Sequence, residues 1–369
     1  MSVVNFVGAR ERCSSSRLLE RFRGTLKKGE LQGLFSQGEL VAVKFEAGER
    51  DNLRYVRPLL VKAVVDVVYS LGGQPLLVDT LSMGSKASEV GRRWLEAVVL
   101  HGFDVTSLGK SPMLADGYTG EEEMLVQVDG EELGGVEIAR AVAESQALVV
   151  ISHVTAHPFA GLSGALVSCG VGCASFRGKE RIHAPLRPLF MQDRCDGCGQ
   201  CEKHCPHDAV RLKDDRPSLD DKRCKGCAYY CTAACPVGAV VIDGRMARRF
   251  QRRVVDSALA VTGALQGKVY YVNILMDVCP YPDCYPFSDV PFVSDRGILM
   301  SHDPVALDSA TLNVLDESSG IWGSIAEESE SLGSSDDKLL RITGVDPTSM
   351  IAYAKKLGMG SDSFEIRKA

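Results

Sequence analysis

The chain has 369 residues, of which 45% are hydrophobic and 24% are charged, an ordinary composition for a globular protein with a sizeable core. Its 42 Lys and Arg residues against 48 Asp and Glu residues give a net charge of −6, which argues against a dedicated nucleic-acid-binding protein. No apolar run reaches the roughly 18 residues of a transmembrane helix, and Arg10 and Glu11 interrupt the N-terminus before a signal-peptide core forms. We therefore expect a cytoplasmic protein with no membrane span, whose thirteen cysteines bind metal instead of forming disulfides.

The first part of the chain alternates short apolar runs with helical patterns. The apolar runs predict strands at 3–7, 39–45, 75–80, 124–128 and 147–152. Helical patterns cover 56–73, which a glycine pair closes, and 85–102, which Ser85 caps and Gly102 closes. Such alternation predicts an α/β fold with a mostly parallel sheet flanked by helices.

Eight cysteines then interrupt this alternation in two runs. The first run has the spacing C-x2-C-x2-C-x3-C-P of bacterial [4Fe–4S] ferredoxins, and the second has one extra residue within the stretch "CAYYC". In two-cluster ferredoxins the fourth cysteine of each run binds the cluster of the other run. We therefore assign one [4Fe–4S] cluster to Cys195, Cys198, Cys201 and Cys235, and a second to Cys205, Cys224, Cys227 and Cys231.

Two alternatives for these cysteines stay open. Two zinc sites would also use paired cysteines, but zinc ribbons do not usually step four cysteines evenly and close them with Cys-Pro twice. Clusters kept only to staple the fold are the second alternative, whereas two clusters side by side favour low-potential electron transfer. The chain has neither GxGxxG after its first strand nor a Walker loop, and a flavin, which has no single short motif, is not indicated.

The strand and helix pattern resumes after the cysteines, with a strand predicted at 268–275. We therefore predict an α/β host domain in two parts, 1–188 and 244–369, with a two-cluster, α+β ferredoxin-like domain inserted at 189–243.

Polar and thiol residues follow several predicted strands, and ligands of open α/β sheets bind beyond the carboxyl ends of strands. The candidate catalytic residues on this ground are His153, His157, Cys173, Cys279 and Cys284. The histidines would donate protons, because an unperturbed histidine pKa lies near the working pH. Asp303 precedes Pro304 and fits a helix N-cap as well as a pocket residue.

Three segments around the cysteine runs, 41–58, 151–183 and 291–308, resemble the domain of unknown function 362 family. The resemblance covers nearly the whole chain and implies an α/β host with two [4Fe–4S] clusters, but no settled reaction. The matching positions are Arg57, His153, His157, Gly164, Gly172, Cys173, Gly178, Lys179, His183, Asp295, Asp303 and Asp308.

The chain departs from the family at two places. Such proteins typically carry a Lys-Asn pair where this chain has Val167 and Ser168, and a histidine is common where it has Glu46. If these residues touch a substrate, this member uses a different one or has lost the activity.

The leading hypothesis is an iron–sulfur oxidoreductase that passes electrons to an unknown small molecule in the host domain. The residues expected to bind that molecule are Arg57, Lys179, His183, Asp295 and Asp303. The alternative is a non-catalytic electron carrier or a subunit of a redox complex. We expect a ferredoxin or flavodoxin to be the electron donor and to dock on the basic stripe Arg245–Arg253. Binding of nucleic acid to that stripe is the less favoured hypothesis.

Overall fold

The computed structural model describes residues 1–11, 17–28, 30–84 and 87–369, and the Ser85 cap predicted for the second helix lies outside them. The strands are β1 (Ser2–Gly8), β2 (Leu40–Lys44), β3 (Gln74–Asp79), β4 (Met113–Leu114), β5 (Glu123–Gln127), β6 (Gly135–Ala139), β7 (Ala147–His153), β8 (Thr155–His157), β9 (Gly161–Ser163), β10 (Leu189–Phe190), β11 (Val210–Lys213), β12 (Arg216–Leu219), β13 (Val240–Val241), β14 (Val269–Leu275), β15 (Gly297–Ser301) and β16 (Phe364–Lys368).

The α-helices are α1 (Leu18–Lys28), α2 (Pro58–Ser70), α3 (Ala87–Leu100), α4 (Val105–Leu108), α5 (Arg140–Ala143), α6 (Ala165–Gly170), α7 (Phe176–His183), α8 (Gln200–Lys203), α9 (Tyr229–Ala233), α10 (Gly244–Ala264), α11 (Pro304–Asp316), α12 (Ile325–Glu328), α13 (Lys338–Thr343) and α14 (Thr348–Lys356). A short 3₁₀ helix at Glu30–Gly33 lies between α1 and β2. No helix within the described ranges has both the length and the apolar character needed to cross a bilayer.

An eight-stranded sheet organises the host, in the order β16-β1-β15-β14-β7-β2-β3-β4. Strands β14, β7, β2, β3 and β4 run parallel to one another, and β1 runs parallel to β16. Strand β15 is antiparallel to both of its neighbours. The predicted mostly parallel α/β sheet is thus confirmed, and the carboxyl ends of β2, β3, β7 and β14 meet at one edge.

Hydrophobic cores cover both faces of this sheet. Alternate residues of a strand point to opposite faces, so Val149 joins a cluster with Phe22 and Val64 of α1 and α2, while Val150 joins a cluster with Val254 of α10. Strand β7 is buried along its whole length, as a central parallel strand must be.

The strand predicted at 124–128 forms as β5, but it does not enter the central sheet. It pairs antiparallel with β6 in a separate hairpin. Its residues are mostly half-exposed or exposed, so this run lacks the two-sided burial that a central strand requires.

The segment with the eight cysteines lies between α7 and α10 and carries two small two-stranded sheets, β10 with β13 and β11 with β12. A small core of its own contains Cys201, Val210, Cys231 and Val240. The central-sheet strands β7 and β14 flank this segment in sequence and yet pair with each other, Ile151 lying opposite Val272.

Candidate functional site

A cavity of about 110 Å³ opens at the carboxyl edge of the central sheet. Its walls come from the ends of β2 and β3, from β8, α6 and α7, from the loop after β14 and from the cysteine-rich segment. The lining residues are Lys44, Glu46, Asp79, Thr80, Ser82, Met83, Gly84, His157, Phe159, Ser163, Val167, Ser168, Val171, Gly172, Lys179, His183, Cys227, Tyr229, Tyr230, Pro282, Cys284 and Tyr285.

A buried ion pair forms one wall of the cavity. Lys44 Nζ lies 3.0 Å from Asp79 Oδ1, and both side chains are almost fully buried. Asp79 also accepts hydrogen bonds from the backbone N–H of Ala47 and Thr80 and from Trp94 Nε1. Burial opposes ionisation of this carboxyl, but the Lys44 ammonium and these donors outweigh it and lower its pKa.

A second lysine reaches the same wall from α7. Lys179 Nζ donates to Thr80 Oγ1 and to the Leu81 carbonyl oxygen, each at 2.6 Å. Burial lowers the pKa of Lys179, and the nearby carboxylate of Asp116 partly offsets that effect. Burial raises the pKa of Asp116 itself to about 6.

Backbone groups hold two cavity histidines in defined tautomers. His157 Nδ1 accepts hydrogen bonds from the N–H groups of Phe159 and Ala160, which leaves the ring proton on Nε2. His183 Nδ1 donates to the Lys179 carbonyl oxygen at 2.8 Å, which leaves its Nε2 as an acceptor. Burial lowers the pKa of His157 to about 3 and that of His183 to about 4, so both rings are neutral at pH 7.

Glu46 is the cavity residue whose pKa lies near neutrality. Burial, followed by the charge of Asp283, raises the pKa of its carboxyl to about 7, although Lys44 opposes the shift. The expectation that His153 and His157 donate protons rested on the ordinary pKa of histidine, and burial removes that basis for His157. Glu46 fits a proton-exchanging group better, because such a group needs a pKa near the working pH.

The other predicted catalytic residues lie around the cavity. Cys284 lines it, whereas Cys173 is buried behind Gly172. His153 is fixed by Asp283 Oδ1 at 2.6 Å and by the Met276 carbonyl oxygen at 2.8 Å, so it does not face the cavity. Cys279 is also buried and directs its thiol to the Tyr281 carbonyl oxygen.

The Cys173 thiol is buried outside the cavity lining, and its pKa is lowered. A hydrogen bond from Cys169 is the largest influence, and the ammonium groups of Lys44 and Lys179 add to it, so its pKa falls despite burial. Burial dominates at the other two thiols: it raises the pKa of Cys279 to about 12 and also raises that of Cys284.

Three predicted substrate-binding residues are not brought to the cavity. Arg57 and Asp295 pair with each other at 3.1 Å on the surface, where Arg57 also binds Asp277. Asp303 caps α11 by accepting from the Ala306 N–H and also binds Ser2 Oγ. Asp303 follows β15, and because β15 is antiparallel its carboxyl end lies at the opposite edge of the sheet.

Two positions that match the family, Asp308 and Gly164, stabilise the start of α6 beside the sheet. Asp308 accepts from the N–H groups of Ala165 and Leu166 and so caps α6, which starts right after Gly164. Gly164 leaves room for this carboxylate, because a Cβ there would lie 2.4 Å from Asp308 Oδ1.

The predicted basic stripe Arg245–Arg253 is largely neutralised by acidic residues. Arg249 and Arg253 both pair with Glu132, and Arg252 pairs with Glu131. Arg245 pairs with Asp243 at the start of α10. Most of the stripe's charge is thereby matched within the chain.

The structure arranges the cysteines in two groups that cross between the runs. One cavity is lined by Cys195, Cys198, Cys201 and Cys235, so the last cysteine of the second run joins the first run. Conversely, burial raises the pKa of Cys227, and the charges of Cys231, Cys205 and Cys224 add to the effect, so Cys205 of the first run lies near the cysteines of the second. Among the described residues no three His, Cys, Asp or Glu side chains stand close enough to share one metal ion.

The two runs have matching backbone contacts. The Ala209 N–H donates to Cys205 Sγ at 3.2 Å, and the Ala239 N–H donates to Cys235 Sγ at 3.1 Å. Gly197 and Gly226 occupy equivalent left-handed positions, both with φ of +74°. The twelve cysteines in the described ranges are all free thiols.

The extra residue of the second run alters the backbone after Cys227. The first run has Gly199 with φ of +71° just before α8, whereas the second has Ala228 just before α9, whose first two residues are Tyr229 and Tyr230. Tyr229 stacks on Tyr285 of the host with ring centroids 3.4 Å apart, and both tyrosines of the run line the host cavity. The insertion therefore supplies a wall of the cavity.

Several cavity residues were not predicted from the sequence. Lys44 and Asp79 end the apolar runs of β2 and β3, and a charge at the carboxyl end of a buried strand is a signal that could have found them. Tyr229 and Tyr230 had only the irregular cysteine spacing as a signal. Glu46, Val167 and Ser168, the departures from the family pattern, all line the cavity.

Two solved structures illustrate the likeness of this chain to known folds. The lactate racemase apoprotein from Thermoanaerobacterium thermosaccharolyticum gives a TM-score of 0.38 at 15% identity, over 75% of this chain and 51% of that one. A protein from Thermotoga maritima gives a TM-score of 0.36 at 12% identity, over 78% of this chain and 56% of that one.

Comparison with curated proteins finds ferredoxins over short stretches. An uncharacterised ferredoxin of Methanocaldococcus jannaschii is 36% identical over 78 residues, which are 21% of this chain and half of that protein. A ferredoxin-like protein of the Sinorhizobium fredii nif region is 35% identical over 53 residues, or 83% of its length. Ferredoxin-1 of Chlorobaculum tepidum is 31% identical over 58 residues, or 94% of its length.

A family model matches most of the chain. The model described as "Domain of unknown function (DUF362)" covers residues 41–313, which includes both sides of the cysteine-rich segment. The resemblance noted from the sequence is thereby confirmed. This chain belongs to the DUF362 family and carries a ferredoxin-like iron–sulfur domain.

Proposed function

We propose that this chain is an iron–sulfur oxidoreductase, which holds two [4Fe–4S] clusters and reduces a small molecule bound in the host cavity. The observation that carries the proposal is the position of Cys227. It belongs to the second cysteine group and it also lines the cavity with Lys179, His157 and Glu46. A cluster ligand in the wall of a charged pocket favours an enzyme over a simple carrier.

The cysteine groups fit iron–sulfur cubes in several respects. Apart from Asp196, the rest of the cavity at the four cysteines Cys195, Cys198, Cys201 and Cys235 is lined by glycines and apolar residues such as Phe190, Leu212 and Val240. Backbone N–H groups already point at Cys205 and Cys235, and hydrogen bonds to sulfur tune cluster potentials. Each thiolate of a cube binds its own iron, so the four sulfurs need not converge on one point as zinc ligands do. When bound, the clusters supply single electrons at low potential.

The residues of the host would position the molecule and handle protons. The Lys44 and Lys179 ammonium groups and the Nε2–H of His157 can donate hydrogen bonds to an oxygen that gains negative charge during reduction. Glu46, with a pKa of about 7, can hold a proton in the cavity and release it to the molecule. With one proton from Glu46 and a second from solvent, a two-electron reduction leaves the product without added charge.

The first test of this proposal is the metal content. Protein purified without oxygen should hold about eight irons and about eight acid-labile sulfides per chain, as two cubes require. About two zinc ions and no sulfide per chain would contradict it.

The second test separates an enzyme from a carrier. The clusters are reduced with dithionite, excess reductant is removed, and a low-molecular-weight cell extract is added while cluster absorbance is followed. Wild-type protein should be reoxidised, whereas Ser168→Phe, which fills the cavity, should be reoxidised at least about tenfold more slowly at equal iron content. Equal rates would favour the non-catalytic electron carrier.

A further inference from the structure

The charges and hydrogen-bonding groups of the cavity walls determine which class of molecule the cavity can bind. An inference about that class rests on the proposed function, since it treats this cavity as the substrate site. The charged residues that line the cavity are Lys44, Asp79, Lys179 and Glu46. Each charged group in the walls or directly behind them, except one, has a group of opposite charge close to it. Lys44 pairs with Asp79 at 3.0 Å, and Arg93 pairs with Glu49 at 3.3 Å.

Two further pairs complete the balance. His153 faces Asp283 at 2.6 Å, and the Asp116 carboxylate is the strongest charge acting to keep Lys179 protonated. Glu46 remains as the unmatched group: no hydrogen bond joins its carboxyl to another described residue. With Glu46 protonated the walls carry no excess charge, so an ionic molecule would enter the cavity without a counter-charge, at a large desolvation cost.

The unused hydrogen-bonding groups are mainly donors. An ammonium has three N–H donors, and Lys44 and Lys179 each use two on described residues, which leaves one on each. His157 keeps its Nε2–H, and the Tyr229 hydroxyl is buried with no partner among the described residues. Two groups act as acceptors, His183 Nε2 and the Glu46 carboxyl, while the hydroxyls of Ser163, Ser168, Tyr230 and Tyr285 can donate or accept.

The shape of the cavity adds a third constraint. Its volume of about 110 Å³ has room for roughly ten heavy atoms, taking about 10–15 Å³ for each water-sized position. Aromatic rings of Phe159, Tyr229 and Tyr285 form part of the walls, and such rings favour a flat, apolar body.

We propose that the cavity binds an uncharged, flat compound with a conjugated carbonyl group, or the end of a larger compound with that chemistry. The carbonyl oxygen, which has two lone pairs, accepts from one or two of the lysine, His157 and Tyr229 donors. A neighbouring N–H group of the compound, where present, donates to Glu46 or His183. The compound's conjugated body packs against the aromatic rings.

Benzamide and benzoate test this proposal as a matched pair, since they share shape and differ in charge. Binding is measured by calorimetry on the oxidised, cluster-loaded protein at pH 8, where Glu46 is ionised and repels an anion. Benzamide should bind at least about tenfold more tightly than benzoate. Tighter binding of benzoate, or no binding of either compound at millimolar concentration, would overturn the proposal.

Two variants check that the discrimination arises at the named groups. Glu46→Gln should narrow the preference for benzamide at pH 8, because it removes the repelling carboxylate. Tyr229→Phe should weaken benzamide binding about fivefold, the usual worth of one hydrogen bond. Tyr281→Phe is the control, because Tyr281 belongs to the same aromatic cluster and does not line the cavity. An equal effect of Tyr229→Phe and Tyr281→Phe would contradict the assignment of the Tyr229 hydroxyl.

These measurements need no electron transfer. Binding without reoxidation of the reduced protein would therefore refute the proposed reaction and leave the ligand class standing. Reoxidation of the reduced protein without a preference for benzamide would support the proposed reaction and refute the proposed ligand class.

Discussion

The two halves of the cysteine-rich segment have nearly the same motif and very different surroundings. In the first half Cys198 is exposed, and Gly199 and Gln200 do not touch the host cavity. In the second half Cys227 and the tyrosines after it are built into the cavity wall. One inserted residue thus separates a half with an exposed cysteine from a half that lines the host cavity. Under the proposed function, electrons would enter at the first half and leave at the second.

The largest expected effect comes from breaking the crossed ligand sets. Cys205→Ala should remove the cluster of the second run, and Cys235→Ala that of the first, each lowering iron from about eight to about four per chain. Cys227→Ala and Cys198→Ala serve as references for the loss of each cluster. The EPR spectrum of reduced Cys205→Ala should match that of Cys227→Ala, and a match with Cys198→Ala would refute the crossing.

A smaller effect is expected from equivalent glycines of the two halves. A Cβ on Gly226 would stand 2.0 Å from the His183 carbonyl oxygen in the host, whereas on Gly197 it would stand 2.9 Å from the Asp215 Cβ within the segment. Gly226→Ala combines left-handed strain with a backbone clash and should cost about 4 kcal/mol of unfolding free energy. Gly197→Ala should cost about 2 kcal/mol, because the loop that it meets can shift.

Gly199→Ala provides the control for strain alone, since its Cβ would meet nothing closer than 3.8 Å at a φ of +71°. Its cost should be about 1 kcal/mol. Anaerobic thermal unfolding followed by circular dichroism ranks the three variants. Equal losses for Gly226→Ala and Gly197→Ala would mean that the second half is no more tightly held to the host than the first.

An effect smaller than that of Gly226→Ala concerns the cavity that the second half alone reaches. The Glu46 pKa is about 7 in the folded chain and 4.5 in the unfolded one, so the folded state holds its proton more strongly. The unfolding free energy of wild type should therefore fall by about 2 to 3 kcal/mol relative to Glu46→Gln as the pH rises from about 4.5 to about 7. The groups that face Glu46 are Asp283, Lys44, Asp79 and Lys179.

Denaturant unfolding of both proteins at several pH values measures this difference. The comparison cancels the contributions of Asp116 and Asp308, whose pKa values are also raised by burial and which both proteins share. A difference that is constant over this pH range would show that Glu46 is ionised at no cost in the folded chain.

Regular patterns made most of the fold predictable. The alternation of apolar runs and helical patterns was enough to predict the α/β fold. Strand β7 and its neighbours are buried on both faces, and such strands have continuous apolar sequences that are easy to recognise. The direction of a strand cannot be recognised from its apolar residues in the same way. Because β15 runs antiparallel to β14, Asp303 lies at the edge of the sheet opposite to the one expected.

The candidate site was less predictable for the same kind of reason. His157, Lys179, His183 and Cys284 were named from the sequence, and all four line the cavity. Their protonation could not be inferred, because it depends on burial and on backbone hydrogen bonds that only the folded chain provides. The sequence showed the tyrosines of the second run only as an irregularity in cysteine spacing. The stacking of Tyr229 on Tyr285 in the folded chain is what identifies them as part of the cavity wall.

The adjacency of β7 and β14 also bears on how the protein is made. All eight motif cysteines leave the ribosome before β14 and β15, and β1 must wait for β15 and β16 to gain its neighbours. At about 5–20 residues per second, the interval between the last motif cysteine and the end of β15 is on the order of 10 s. During that interval the thiols are outside the ribosome, while the loop bearing Tyr285 has not yet closed over Tyr229. Synthesis order therefore leaves a window in which iron can be delivered to an unfinished sheet.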